Sequence, residues 1–177
     1  GRDRYREDCG IVVPQFFCVS DIEKEQIMSD FRIKTYVLGG VSTNCYLVFR
    51  EGEKAAVIID PADNADYLKN KCREFGVKPE AVLLTHAHFD HMLAADDIRK
   101  AYGCKIYVHM DDERMLNDPF LNLSGTMGTE QTVIRADHLL RDGDVLHFLN
   151  REWKVMATPG HTAGSVCYYL PEEKVLF

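Results

Sequence analysis

The stretch that most constrains this chain is Thr85-His86-Ala87-His88-Phe89-Asp90-His91, with three imidazoles and a carboxylate between residues 86 and 91. The preceding Ala81-Val82-Leu83-Leu84 is apolar and reads as a short buried strand; the spacing after it predicts a helix from His91 to Tyr102, ended by Gly103. Just past a strand end the backbone keeps its period of two for a few residues, so His86, His88 and Asp90 can converge on one side. His91 starts the next helix and points elsewhere, which suits a second, neighbouring metal. Imidazole with carboxylate suits zinc or iron, whereas an all-oxygen set would point to magnesium or calcium. Two imidazoles alone make a poor site. A third ligand is expected from elsewhere, and His161 is the candidate, because the Pro159-Gly160 turn before it allows close backbone approach. Asp90 also reads as an N-cap for the helix after it. His109, His138 and His147 read as structural or exposed.

Length and charge narrow the classes. A chain of 177 residues is one domain by size and long enough to bury a substantial core. A net charge of −7 argues against a nucleic-acid partner, which would need clustered Lys and Arg. No apolar run approaches the roughly 20 residues of a membrane span, so no membrane partner is expected. The six cysteines, at 9, 18, 45, 72, 104 and 167, form no Cys-x-x-Cys pair. They read as reduced thiols, which fits a cytoplasmic protein.

Residues 1–31 read as an N-terminal extension, with a capping box at Ser20-Asp21-Ile22-Glu23 opening a short helix through Ile27. Strands are expected at 33–38, 44–49 and 55–59, forming an antiparallel meander, then a helix over 64–75 capped by Gly76. After the histidine cluster come a strand at 105–108, a short helix at 111–116 and a long loop over 117–137, the length of which suggests a cover for a substrate. Strands at 139–140, 145–149, 153–157, 166–170 and 175–177 complete a mixed α/β sandwich.

Thr85 to His91 matches the T-H-x-H-x-D-H signature of metallo-β-lactamase-fold hydrolases, and Thr158-Pro159-Gly160-His161-Thr162-Ala163-Gly164-Ser165 resembles their second histidine motif. Thr43-Asn44-Cys45-Tyr46, Ile59-Asp60-Pro61 and Arg141-Asp142-Gly143-Asp144 are similar to further family segments, so the resemblance covers about residues 32–177. Within the family the text looks closest to short glyoxalase II-like (hydroxyacylglutathione hydrolase-like) members. The resemblance implies an αββα sandwich and two zinc ions, with iron or manganese as alternatives. His86, His88 and His161 would bind the first metal, and Asp90 and His91 the second. Asp90 would also orient the nucleophile, and Asp60 would steady the ligand loop.

The implied reaction is attack of a metal-activated water on a thioester such as an S-2-hydroxyacylglutathione, a small-molecule substrate. A persulfide dioxygenase, a lactone or β-lactam hydrolase, and a non-catalytic metal-binding or interaction module are the rival readings. The family's bridging Asp and last His lie beyond the position matching Phe177, so the sequence is expected to be a fragment of a longer polypeptide, incomplete at its second metal. Ending there, it is expected to expose a sheet edge and to self-associate.

Overall fold

The strand pattern translates into two sheets. A computed structural model describes residues 17–18, 30–127 and 130–177. The capping box at 20–23 and its helix lie outside the described residues. The first described strand, β1 (Phe17–Cys18), belongs to the second sheet. The first sheet opens with β2 (Phe31–Leu38), β3 (Thr43–Arg50) and β4 (Ala55–Ile59), an antiparallel meander. It continues through β5 (Lys78–Leu83), β6 (Lys105–His109) and β7 (His138–Leu140), each parallel to the strand before it.

Parallel neighbours need crossovers, and helices supply two of them. Helix α1 (Ala65–Phe75) joins β4 to β5, and α2 (Ala95–Tyr102) joins β5 to β6. Asn64 caps α1 by accepting a hydrogen bond from the Tyr67 N–H at 3.0 Å. Gly76 ends the helix in the left-handed region at φ 68°, as the sequence predicts.

The second sheet runs β1-β11-β10-β9-β8, with β8 (Val145–Phe148), β9 (Arg151–Ala157), β10 (Val166–Leu170) and β11 (Val175–Leu176). Period-two alternation decides what each face touches. Cys45, Leu47 and Phe49 of β3 and Ala56 and Ile58 of β4 pack against Leu68, Cys72, Ala95 and Ile98 of the helices. Val48, Val57 and Ile59, pointing the other way, meet Trp153, Val155, Val166 and Tyr168 of the second sheet. Burying each such aliphatic or aromatic side chain contributes about 1.5–3 kcal/mol, and both layers of core are close to fully buried. The outer face of the second sheet is exposed at Glu152, Lys154 and Met156.

One expected element is shorter. The helix predicted from His91 begins only at Ala95; Phe89–His91 form a 3-10 turn instead. The backbone N–H of Phe89 goes to Asn122 O at 2.9 Å and that of Ala94 to Pro61 O at 3.0 Å, so neighbouring segments hold this stretch out of a continuous helix. Likewise, 110–112 is a 3-10 turn before α3 (Glu113–Leu116).

In sheets of this kind, ligands bind beyond the carboxyl ends of the strands. Asp60 follows β4, the histidine cluster follows β5, and Asp112 follows β6. From the second sheet, the turn after β9 brings His161 to the same end.

Candidate metal centre

Three imidazoles meet there. His86 Nε2 lies 3.1 Å from His88 Nδ1, which lies 2.9 Å from His161 Nε2. One ring nitrogen from each of the three histidines lies within 4.8 Å of the others. His86 is buried, His88 half-buried and His161 exposed. Backbone links set the two loops against each other. Val166 N–H donates to Thr85 O at 2.9 Å, and the buried Tyr168 hydroxyl donates to Leu84 O at 2.7 Å.

Asp60 governs which nitrogens face the site. Its backbone is left-handed at φ 48°, a conformation Asp tolerates better than most residues. Its carboxylate accepts from the Thr85 N–H at 2.8 Å and the Thr85 hydroxyl at 2.7 Å, and contacts His91 Nδ1 at 2.8 Å. A carboxylate only accepts, so His91 carries a proton on Nδ1, and its neutral form leaves Nε2 bare. The Thr85 hydroxyl proton is committed to Asp60, so its oxygen accepts from His86 Nδ1 at 3.2 Å. That leaves His86 Nε2 bare as well. One aspartate thus sets the tautomers of two histidines.

The alternation expected for His86, His88 and Asp90 ends at His88. Asp90 sits on the 3-10 turn beside His91, with Oδ2 accepting from the Thr43 hydroxyl at 2.6 Å and lying 3.5 Å from His91 Nε2. It does not cap α2, whose N-cap is Ala94. His91 does not point away: its ring centroid is 4.0 Å from that of His86. The cluster therefore holds a three-histidine group and an adjoining Asp90–His91 pair.

Electrostatics favour neutral rings at His86 and His88. Burial, then the neighbouring His91, pushes His86 down from 6.5 to about 4. Burial, then His161, also lowers His88. For His91, burial is the largest influence and acts downward, but the hydrogen bond and charge of Asp60, with Asp90, outweigh it and raise the value. Neutral imidazoles are the form that binds metal. His88 Nδ1 has one proton at most to share between two close nitrogens, whereas a cation accepts all three lone pairs. Ideal tetrahedral zinc–imidazole bonding would set neighbouring nitrogens ~3.4 Å apart, against 3.1 Å for His86–His88 and 2.9 Å for His88–His161. The donor set fits such a metal.

Three residues escaped sequence reasoning. Asp112, fully buried, accepts from both histidine loops. Thr43 holds Asp90. Asn122, also fully buried, organises the long loop by donating to Met115 O and Thr132 O and accepting from Ser124 N–H. Thr43 lies in a segment that resembles the family but had no role assigned, and the other two carry no sequence signal beyond that of an ordinary polar turn residue.

The model of the metallo-beta-lactamase superfamily matches residues 38–177. The chain belongs to the metallo-beta-lactamase superfamily. Its relatives include the probable metallo-hydrolase YqgX of Bacillus subtilis (strain 168), 35% identical over 136 residues, covering 76% of this chain and 64% of that protein. Another is the hydroxyacylglutathione hydrolase GloC of Haemophilus influenzae, 27% identical over 76% of this chain and 64% of its own length. The chain thus spans slightly less than two thirds of either relative. The crystal structure of the B3 metallo-beta-lactamase BLEG-1 superposes with a TM-score of 0.77 at 38% identity, covering 82% of this chain and 70% of that one. The mixed α/β architecture matches that of these superfamily members. No helix among the described residues is long and apolar enough to cross a membrane.

Proposed function

We propose that this domain is the metal-binding part of a hydrolase acting on a thioester such as an S-2-hydroxyacylglutathione. The observation that carries the metal-dependent reading is the convergence of His86 Nε2, His88 Nδ1 and His161 Nε2 on loops from two different sheets. The thioester class rests on the likeness to glyoxalase II-like sequences, which the hydroxyacylglutathione hydrolase relative supports.

His86, His88 and His161 would hold one ion, and Asp90 with His91 would contribute to a second. Zinc is the proposed metal, since imidazole-rich sets suit it. When bound, such ions lower the pKa of water and polarise a carbonyl oxygen. The chain's own residues supply orientation. Asp60 directs the proton of the neutral His86 and His91 rings to Nδ1, so that Nε2 is the nitrogen left for an ion. Thr43 occupies one side of Asp90 Oδ2, so the carboxylate enters the site in a fixed orientation rather than swinging. The cytoplasmic setting inferred from the cysteines suits a glutathione thioester.

The test is metal analysis combined with hydrolysis of S-lactoylglutathione, a β-lactam and a homoserine lactone by the full-length protein. Zinc retention with preferential thioester cleavage is expected. Metal retention with preference for either other substrate would refute the thioester class alone. A His88→Ala protein with unchanged metal content would refute the site.

A further inference from the structure

The two histidine loops come from different sheets, and something must hold them in register. His161 is exposed, so its loop rather than packing around the ring sets its place. That loop is anchored on Asp112, just after β6. Asp112 Oδ1 accepts from the Gly164 N–H at 2.8 Å, and Oδ2 accepts from the Thr162 hydroxyl at 2.8 Å. The same Oδ2 accepts from the Ala87 N–H at 3.0 Å, between His86 and His88. One fully buried carboxylate therefore bonds the backbone between two histidines of one loop and the residues just after the third histidine in the other.

The surroundings are built for this contact. Thr162 Oγ1 lies 2.8 Å from Ser165 Oγ, which accepts from the Thr162 N–H at 3.1 Å. Because Asp112 only accepts, Thr162 must donate to it, and Ser165 must donate to Thr162. The hydroxyl directions follow without ambiguity. A Cβ on Gly164 would lie 2.7 Å from both Asp112 Cγ and Asp112 N, so only glycine admits the turn to this depth.

We propose that Asp112 is a positioning residue that clamps the loops of His86–His88 and His161 into one preformed metal site. The inference rests on the three-histidine reading above. Asp112 touches none of the proposed ligand atoms; it acts through Ala87, Thr162 and Gly164.

The test uses the full chain, freed of metal by chelation. Zinc affinity is read against a competing chromophoric chelator, and coordination is read from visible absorption with Co²⁺. Asp112→Asn keeps the volume but places an amide N–H against the N–H of Gly164 or of Ala87. Zinc affinity is expected to fall ten- to hundredfold, the range for lost partners behind metal ligands. The cobalt band at saturation is expected to change shape as His161 loosens. Thr162→Val removes one donor and is expected to lower affinity severalfold; it carries the test if Asp112→Asn does not fold. Leu68→Ala, in the core beneath α1, is the stability control: it should lower the melting temperature and leave affinity unchanged. Wild-type affinity and spectrum in the folded Asp112 or Thr162 variant would overturn the inference. So would an equal affinity loss in Leu68→Ala. A wild-type chain that binds no zinc, or a His88→Ala chain that binds it equally well, would instead sink the metal-centre reading and this inference with it.

Discussion

Asp60 Oδ2 accepts a hydrogen bond from His91 Nδ1 at 2.8 Å, across the carboxyl ends of two adjacent parallel strands. The pair is largely buried, with side-chain exposures of 4% for Asp60 and 20% for His91, so its loss cannot be made good by water alone. Asp60→Asn keeps the shape but sets donors against Thr85 or His91. The expected result is a stability loss of about 1–3 kcal/mol. Metal affinity should fall about 10–100-fold, because the tautomers of His86 and His91 are no longer fixed. Urea titration and zinc competition check the two separately. Unchanged zinc affinity would show that Asp60 does not orient the ligands.

The metal-free protein should lose stability on mild acidification. His86 has a folded pKa of about 4 against an ordinary 6.5. Between those values the unfolded chain binds a proton that the folded chain does not, so stability falls as pH drops from 6.5 to about 4. The loss from this residue approaches ~3 kcal/mol when complete. His91 has a raised value, so its contribution is full below 6.5 and is lost only as pH rises through its folded pKa. Urea midpoints of the chelated protein at pH 4.5, 5.5, 6.5 and 7.5 test this. A His86→Asn protein should show a flatter slope between 6.5 and 4.5, and equal slopes would contradict the assignment.

Much of the fold was legible because it depends on local pattern. Alternating burial in β3 and β4, and glycines at positions 76 and 103 in left-handed caps, follow from residue types a few places apart. The expected positions of His86, His88 and His161 were legible through motif spacing. The misplaced helix start at His91 was not, since it turns on Phe89 and Ala94 bonding to Asn122 and Pro61, distant in sequence. Asp112 was hidden for a similar reason. Asp111-Asp112-Glu113 reads as an acidic helix start, and nothing local separates the fully buried Asp112 from its exposed neighbour Asp111.

Thr43 offers a test of the second half of the cluster. Its hydroxyl donates to Asp90 Oδ2 at 2.6 Å from the start of β3. Thr43→Val preserves the side-chain volume and removes that donor, leaving Asp90 free to rotate. Stability should fall by about 1–2 kcal/mol. Bound metal per chain should drop while the three-histidine ion is retained, and Thr43→Ser should restore it. Stoichiometry from plasma emission spectrometry decides the matter. Loss of all metal would mean that Thr43 supports the trio rather than the Asp90–His91 pair.

Tyr168 separates the sandwich from the chemistry. The ring is fully buried between the sheets, and its hydroxyl donates to Leu84 O, one residue before the ligand loop. Burial, with a smaller push from Asp60, holds the phenol protonated well above its ordinary range, so it remains a donor at any working pH. Tyr168→Phe keeps the packing and strands one carbonyl acceptor in the core, at a cost of about 1–3 kcal/mol. Leu84 N–H still bonds Tyr107 O at 3.0 Å and Thr85 N–H still bonds Asp60, so the loop keeps its course. The expected phenotype is a lower melting temperature with zinc affinity within about threefold of wild type. That threefold corresponds to only about 0.7 kcal/mol of differential binding. A larger affinity loss at unchanged melting temperature would mean that the Tyr168–Leu84 bond positions the histidines rather than merely joining the sheets.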